Sequence, residues 1–232
     1  MLSRLATEGI TPEFRGALAK GLRLVLFLTL PCAAGLALLS HEIISVIFEH
    51  GRVKAYDVAQ TAAPLQAFAF GLVFYSAIKV LQPSFYTIGK RFIPMYTSLA
   101  VIAFTAGANA FTVFVLKWDH TALAWGTAIG LALNFTVLYL AMRKFAKGLE
   151  TTSLVASLGR VGLASAVMGG LCLASKFTLM ADGANLSAIA RTASLGVTIA
   201  AGAVVYFGLT KMLKVEESGE FLSIISRRFG KR

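Results

Sequence analysis

Long uncharged apolar runs dominate this chain. Leu24 to Ser40 carries no charge, and Thr61 to Ile88 carries only Lys79. Phe92 to Leu116 and Thr121 to Met142 carry none. Val161 to Ser175 is uncharged, and its span starts near Leu154 with Arg160 reaching back toward the headgroups. Thr192 to Thr210 is the last run. An apolar stretch of about 18 or more residues crosses a bilayer as a helix, because every backbone polar group must then be satisfied within the segment. The pattern predicts an all-α integral membrane protein with six transmembrane helices.

The segments between the runs add organisation. Thr11-Pro12-Glu13 reads as a helix start with proline in the first turn, opening a short amphipathic helix before the first span. "EIISVIF", between spans one and two, predicts a short interfacial helix, with Gly51 turning the chain back. The polar gap "KGLETTS" divides residues 1–146, with four spans, from 147–232, with two spans and a basic tail. Small residues recur four apart in Ala122, Gly126 and Gly130, in Gly162, Ala166 and Gly170, and in Gly196 and Ala200. Such rows predict close helix packing. Trp118, Trp125, Tyr96 and Tyr139 fall near span ends, as interfacial aromatics do.

Composition supports the membrane reading. Charged residues make up 14% of the 232, well below the roughly 25% of soluble domains, and the mean hydropathy is +0.74. The net charge of +11 would suggest nucleic acid in a soluble protein. Here its distribution gives a better account. With six spans, 16 of the 22 lysines and arginines fall on one side and 5 on the other, Lys79 being the remainder. The positive-inside rule then puts both termini in the cytoplasm and removes the case for a nucleic-acid partner. A cleaved signal is disfavoured, because the first run lies some 20 residues in and holds Pro31. Cys32 and Cys172 lie inside spans and read as small buried residues. His41, His50 and His120 are scattered near outer loops, and the eleven acids lie in flanks or gaps. No catalytic or metal motif occurs, so neither enzyme activity, cofactor nor metal is expected.

Lys79 is the exception inside a span. On a helix at 100° per residue, Tyr75, Lys79, Gln82 and Tyr86 share one narrow arc. Ser98, Thr105, Asn109 and Thr112 form a weaker stripe on span three, and Thr127 and Asn134 one on span four. Three polar faces predict a shared hydrated cavity; interhelical hydrogen bonds are the other reading for the asparagines and threonines. A central cation costs at least about 2.5 kcal/mol, and no intraspan acid offsets it. Lys79 also lies too deep to snorkel, so an anionic cargo suits it best.

"KGLRLVLFLTLPCAAGLALLSHEIISVIFEHG", "KVLQPSFYTIGKRFIP" and "ALAWGTAIGLALN" together resemble the MurJ/MviN lipid II flippases of bacteria, within the multidrug/oligosaccharidyl-lipid/polysaccharide exporter superfamily. The resemblance covers most of the chain, is strong through Met142 and weaker in the last two spans. It implies fourteen spans in two lobes plus a helix pair, of which this chain matches spans nine to fourteen. Leu2 and Ser3 match a family segment entered part-way. It implies a C-terminal portion of a flippase for the lipid-linked peptidoglycan precursor, working by alternating access in the cytoplasmic membrane. The implied partners are lipid II, membrane lipids and the missing amino-terminal lobe. Lys79 matches the family's cavity lysine, and the last two spans correspond to a pair that grooves the lipid tail. Some members carry an acid near the position of Val113, and its absence here counts against sodium coupling. The alternatives are a polysaccharide-lipid or drug exporter of the same superfamily, and a non-transporting membrane scaffold. The cavity-facing candidates are Lys79, Tyr75, Gln82, Tyr86, Asn109 and Asn134.

Overall fold

A computed structural model describes residues 10–48, 55–146, 148–149, 151–178 and 188–219. The longer elements are α1 (Pro12–Leu38), α2 (Ser40–Phe48), α3 (Ala55–Thr87), α4 (Phe92–Phe114), α5 (His120–Phe145), α6 (Thr151–Thr178) and α7 (Ala188–Met212). Among the described residues there is no strand. Six of these helices, all but α2, contain stretches long and apolar enough to cross a membrane. The fold is therefore all-α with six membrane-crossing helices, as the run lengths predict. Gly51 and His50 lie outside the described residues.

One expectation is corrected at the start of the chain. The amphipathic segment and the first span are one continuous helix. The Thr11 hydroxyl accepts from the Phe14 N–H at 3.3 Å, and Pro12 sits in the first turn. Nothing between Glu13 and Leu24 stops the helix, because a lone glycine at 16 or 21 weakens a helix without ending it. Phe14, Leu18, Leu22 and Leu26, four apart, are buried on one face. They meet Ala77, Ile78, Leu81 and Phe85 of α3 and Leu138 and Met142 of α5. This is the main core, and α3 is its middle layer: Gly21 of α1 lets Val80 approach, and Gly71 of α3 lies against Ala128 and Leu131 of α5.

The pairings give a consistent up-and-down order. Arg23 of α1 is bonded to Ser153 of α6, and Leu38 lies against Gly169, so α1 and α6 run parallel. Tyr206 of α7 reaches Phe27, while Arg191 reaches Ser45 of α2, so α7 runs antiparallel to both. At the α2 end, Ile44 packs on Val58 and Ala62, and Glu42 pairs with Lys176 at 2.9 Å. The short helix read from "EIISVIF" thus exists and ties α3, α6 and α7 together. Cys172 is buried as expected, but Cys32 is exposed, because it sits on the opposite side of α1 from the buried Phe27 and Pro31.

Three prolines sit inside helices: Pro31 in α1, Pro64 and Pro83 in α3. Each lacks the N–H that would bond the carbonyl four residues earlier. For Pro31 that carbonyl is Phe27, which accepts the Tyr206 hydroxyl at 2.5 Å. For Pro64 it is Gln60, which accepts from His120 Nε2 of α5 at 3.0 Å. Neighbouring helices therefore supply the two missing donors.

Candidate functional site

α3 turns two unlike faces to its surroundings. Ala77, Ile78, Leu81 and Phe85 enter the core. On the other face Tyr75 and Tyr86 are about half exposed, Lys79 and Pro83 are exposed and Gln82 is half-buried. The arc read from the sequence is thus a real stripe. Lys79 Nζ stands 5.0 Å from the centroid of the Tyr75 ring, within reach of a cation–π attraction. Among the described residues no carboxylate pairs with Lys79. A cation and two phenols left this way can receive an anion and hydrogen-bond a polar head.

The two asparagines lie elsewhere. Asn134 of α5 is buried, and its Nδ2 donates to Ser98 Oγ of α4 at 3.2 Å. Asn109 Oδ1 lies against Gly126, and the Thr105 side chain against Gly130. The polar side of α4 is therefore the seam it shares with α5. A side chain at either glycine would collide with that seam, so the Gly126/Gly130 row is a packing row. α4 otherwise contributes only Pro94 to the buried set. The structure brings Tyr75, Lys79, Gln82 and Tyr86 together on α3 and places Asn109 and Asn134 between α4 and α5.

The second row of small residues behaves differently. A Cβ added at Gly162, Gly170 or Gly196 would meet nothing within 4 Å. The expectation that these rows pack helices is corrected: Gly162, Ala166 and Gly170 of α6 leave a gap opposite Ala33, Ala34 and Ala37 of α1. The result is an apolar groove of about 510 Å³, with Phe70 and Val73 of α3 at its back. It lies between α1 and α6, not between α6 and α7.

Below the Leu30 end of the groove the helices are sealed in two layers. Phe27, Tyr206 and Phe207 stack with ring centroids 5.4–6.1 Å apart. Beyond them, Arg23 Nε lies 2.9 Å from Glu217 Oε1, close enough for an ion pair though not aligned as a hydrogen bond. Ser157 of α6 donates to Glu217 Oε2 at 3.3 Å. The chain reaches this point by reversing after α7: Lys214 adopts φ 50°, and the Val215 N–H caps the Thr210 carbonyl at 3.0 Å. Sequence reasoning missed this cluster, because run lengths and spacing give no link between Arg23, just before the first run, and Glu217 in the tail. The one available signal was an arginine beside an otherwise uncharged run, in a chain with two adjacent acids just past its last span.

Comparison with known proteins gives a consistent picture. The family model described as "Lipid II flippase MurJ" matches residues 1–210. A probable lipid II flippase MurJ of Bdellovibrio bacteriovorus is 29% identical over 216 residues, covering 93% of this chain and 40% of the relative. One from Rhizobium tropici is 32% identical, covering 89% and 38%. A solved structure, lipid II flippase MurJ in an inward closed conformation, superposes with a TM-score of 0.68 at 20% identity, covering 91% of this chain and 41% of that one. The chain thus spans about two fifths of the length of these relatives. With its six membrane-crossing helices and a match across most of its length, the chain belongs to the MurJ lipid II flippase family.

Proposed function

We propose that this chain supplies part of a transporter that moves lipid II across the bacterial cytoplasmic membrane by alternating access. Residues 1–146 would form part of a transport lobe, and residues 147–232 a helix pair attached to it. The observation that carries the reading is the α3 stripe. Lys79 is exposed, held over the Tyr75 ring and without an acid partner among the described residues. Such a cation is unfavourable in lipid and suits a cavity that receives a diphosphate. Gln82 and Tyr86 extend the polar surface, and Asn109 and Asn134 hold the adjacent α4–α5 seam. The apolar groove between α1 and α6 fits the polyprenyl tail. The cation bias of the sequence supports cytoplasmic termini.

The test joins the chain to the amino-terminal portion of a relative and assays rescue of cells depleted of their own flippase. Lys79→Ala should lose rescue while accumulating in membranes at the normal level. Lys79→Arg, which keeps charge but changes shape, should retain part. Val204→Ala, on the exposed side of α7, should behave as unsubstituted protein. Full rescue by Lys79→Ala would overturn the role of the stripe.

A further inference from the structure

The three interior prolines are not treated alike. The carbonyl freed by Pro31 is capped by Tyr206, and the one freed by Pro64 by His120. Pro83 frees the carbonyl of Lys79 itself. Nearby hydroxyls are used elsewhere: Ser84 donates to the Val80 carbonyl at 3.0 Å and Thr87 to the Ser84 carbonyl at 2.8 Å. Among the described residues no side chain donates to Lys79 O. A helix carbonyl points toward the carboxyl end, so this oxygen is directed at Gln82 and Pro83, one turn on. Pro83 is exposed, and it follows Lys79 by four residues, so the carbonyl it frees lies on the stripe side of α3. A carbonyl without a side-chain donor on an exposed helix face can accept from an N–H or O–H group that a ligand brings.

We infer that the main-chain carbonyl of Lys79 is a hydrogen-bond acceptor for an N–H or O–H group on the head of the cargo. This rests on the reading of the stripe as cargo-facing and adds to it. The ammonium of Lys79 takes the anionic part of the ligand, and the carbonyl of the same residue takes a neutral donor about one helical turn away. Pro83 is then a specificity residue: it creates the acceptor by lacking an N–H. A ligand with amide and hydroxyl donors gains from this acceptor, and a bare polyprenyl diphosphate does not.

The test measures binding of two probes to the 232-residue chain in lipid nanodiscs. One is a polyprenyl diphosphate bearing the disaccharide-pentapeptide head, and the other is polyprenyl diphosphate alone. Pro83→Ala restores an N–H that takes the Lys79 carbonyl. It should weaken the first probe roughly two- to tenfold, the worth of one hydrogen bond, and leave the second unchanged. The α-hydroxy analogue of alanine at position 83 has alanine's side chain but no N–H, and should bind both probes as the proline protein does. Lys79→Ala should weaken both probes. If Pro83→Ala weakens neither probe, or both equally, the carbonyl is not a cargo acceptor. An α-hydroxy analogue that behaves like alanine would equally exclude the acceptor role. If Lys79→Ala changes neither probe, the reading of the stripe fails, and the Pro83 comparison still decides the acceptor by itself.

Discussion

The two flanks of the α1–α3 core are finished in different ways. On the α6–α7 flank, polar groups near the membrane-crossing helices find partners within the chain. Arg23 meets Glu217, Lys176 meets Glu42, Arg191 meets Ser45, and the Phe27 carbonyl meets Tyr206. On the outward flank of α3, Lys79 has a ring beneath it but no acid, and its carbonyl has no side-chain donor among the described residues. Both flanks carry the same kinds of group. The difference separates a surface whose polar groups are paired within the chain from one whose cation has no acid partner among the described residues. A buried charge persists only with a partner, whereas an exposed one such as Lys79 stays open to a ligand, as the proposed cargo site requires.

The contrast between the flanks breaks most severely at Arg23. Its side chain is 15% exposed and that of Glu217 is 5% exposed, so removing Arg23 leaves the Glu217 charge enclosed. Arg23→Ala should destabilise the folded chain by about 3–5 kcal/mol, and Glu217→Ala by less, because Glu216 Oε2 stands 3.7 Å from Arg23 Nη2. Replacing both with leucine and methionine should cost much less than Arg23→Ala, because no charge is then stranded. Denaturant unfolding in micelles reads all three. If the double replacement is as damaging as the sum of the singles, the pair is not one unit.

Tyr206 gives the next effect. Tyr206→Phe removes the hydroxyl that donates to the Phe27 carbonyl and should cost about 1–3 kcal/mol. Pro31→Ala supplies a backbone N–H to that carbonyl, so the tyrosine change should become nearly silent in that background. A double-mutant cycle checks this, and additive losses would separate the tyrosine from the proline. The smallest effect belongs to His120. Its bond to the Gln60 carbonyl is exposed, and water can replace it. His120→Ala should therefore cost under about 1 kcal/mol, with Pro64→Ala cancelling the loss. A loss as large as that of Tyr206→Phe would mean that the α3–α5 edge is drier than its exposure indicates.

How much of the molecule is legible in its sequence varies with the range of the interaction. The six spans follow from run length, a local property: an uncharged stretch of about 18 or more residues leaves a membrane chain little alternative to a helix. The α2 helix, the helix start at Pro12 and the α3 stripe are equally local, because each depends on spacing within one element. The stripe was legible for a further reason. Four polar side chains on one arc of an apolar helix are a pattern that packing rarely demands.

What only the tertiary structure decided concerns partners. The rows at Gly126/Gly130 and Gly162/Gly170 look the same as sequence. One meets Thr105 and Asn109, and the other faces alanines across a gap, because a missing side chain becomes a contact or a groove according to what the opposite helix presents. Asn109 and Asn134 read as cavity candidates and lie in the α4–α5 seam. Arg23 and Glu217 stand 194 positions apart and meet because the chain reverses at Lys214. Each of the three helix-interior prolines frees a carbonyl by lacking an N–H. Which of those carbonyls a neighbouring helix caps, and which has no side-chain donor among the described residues, depends on the placement of α5 and α7, a property of the packed bundle and not of any single segment.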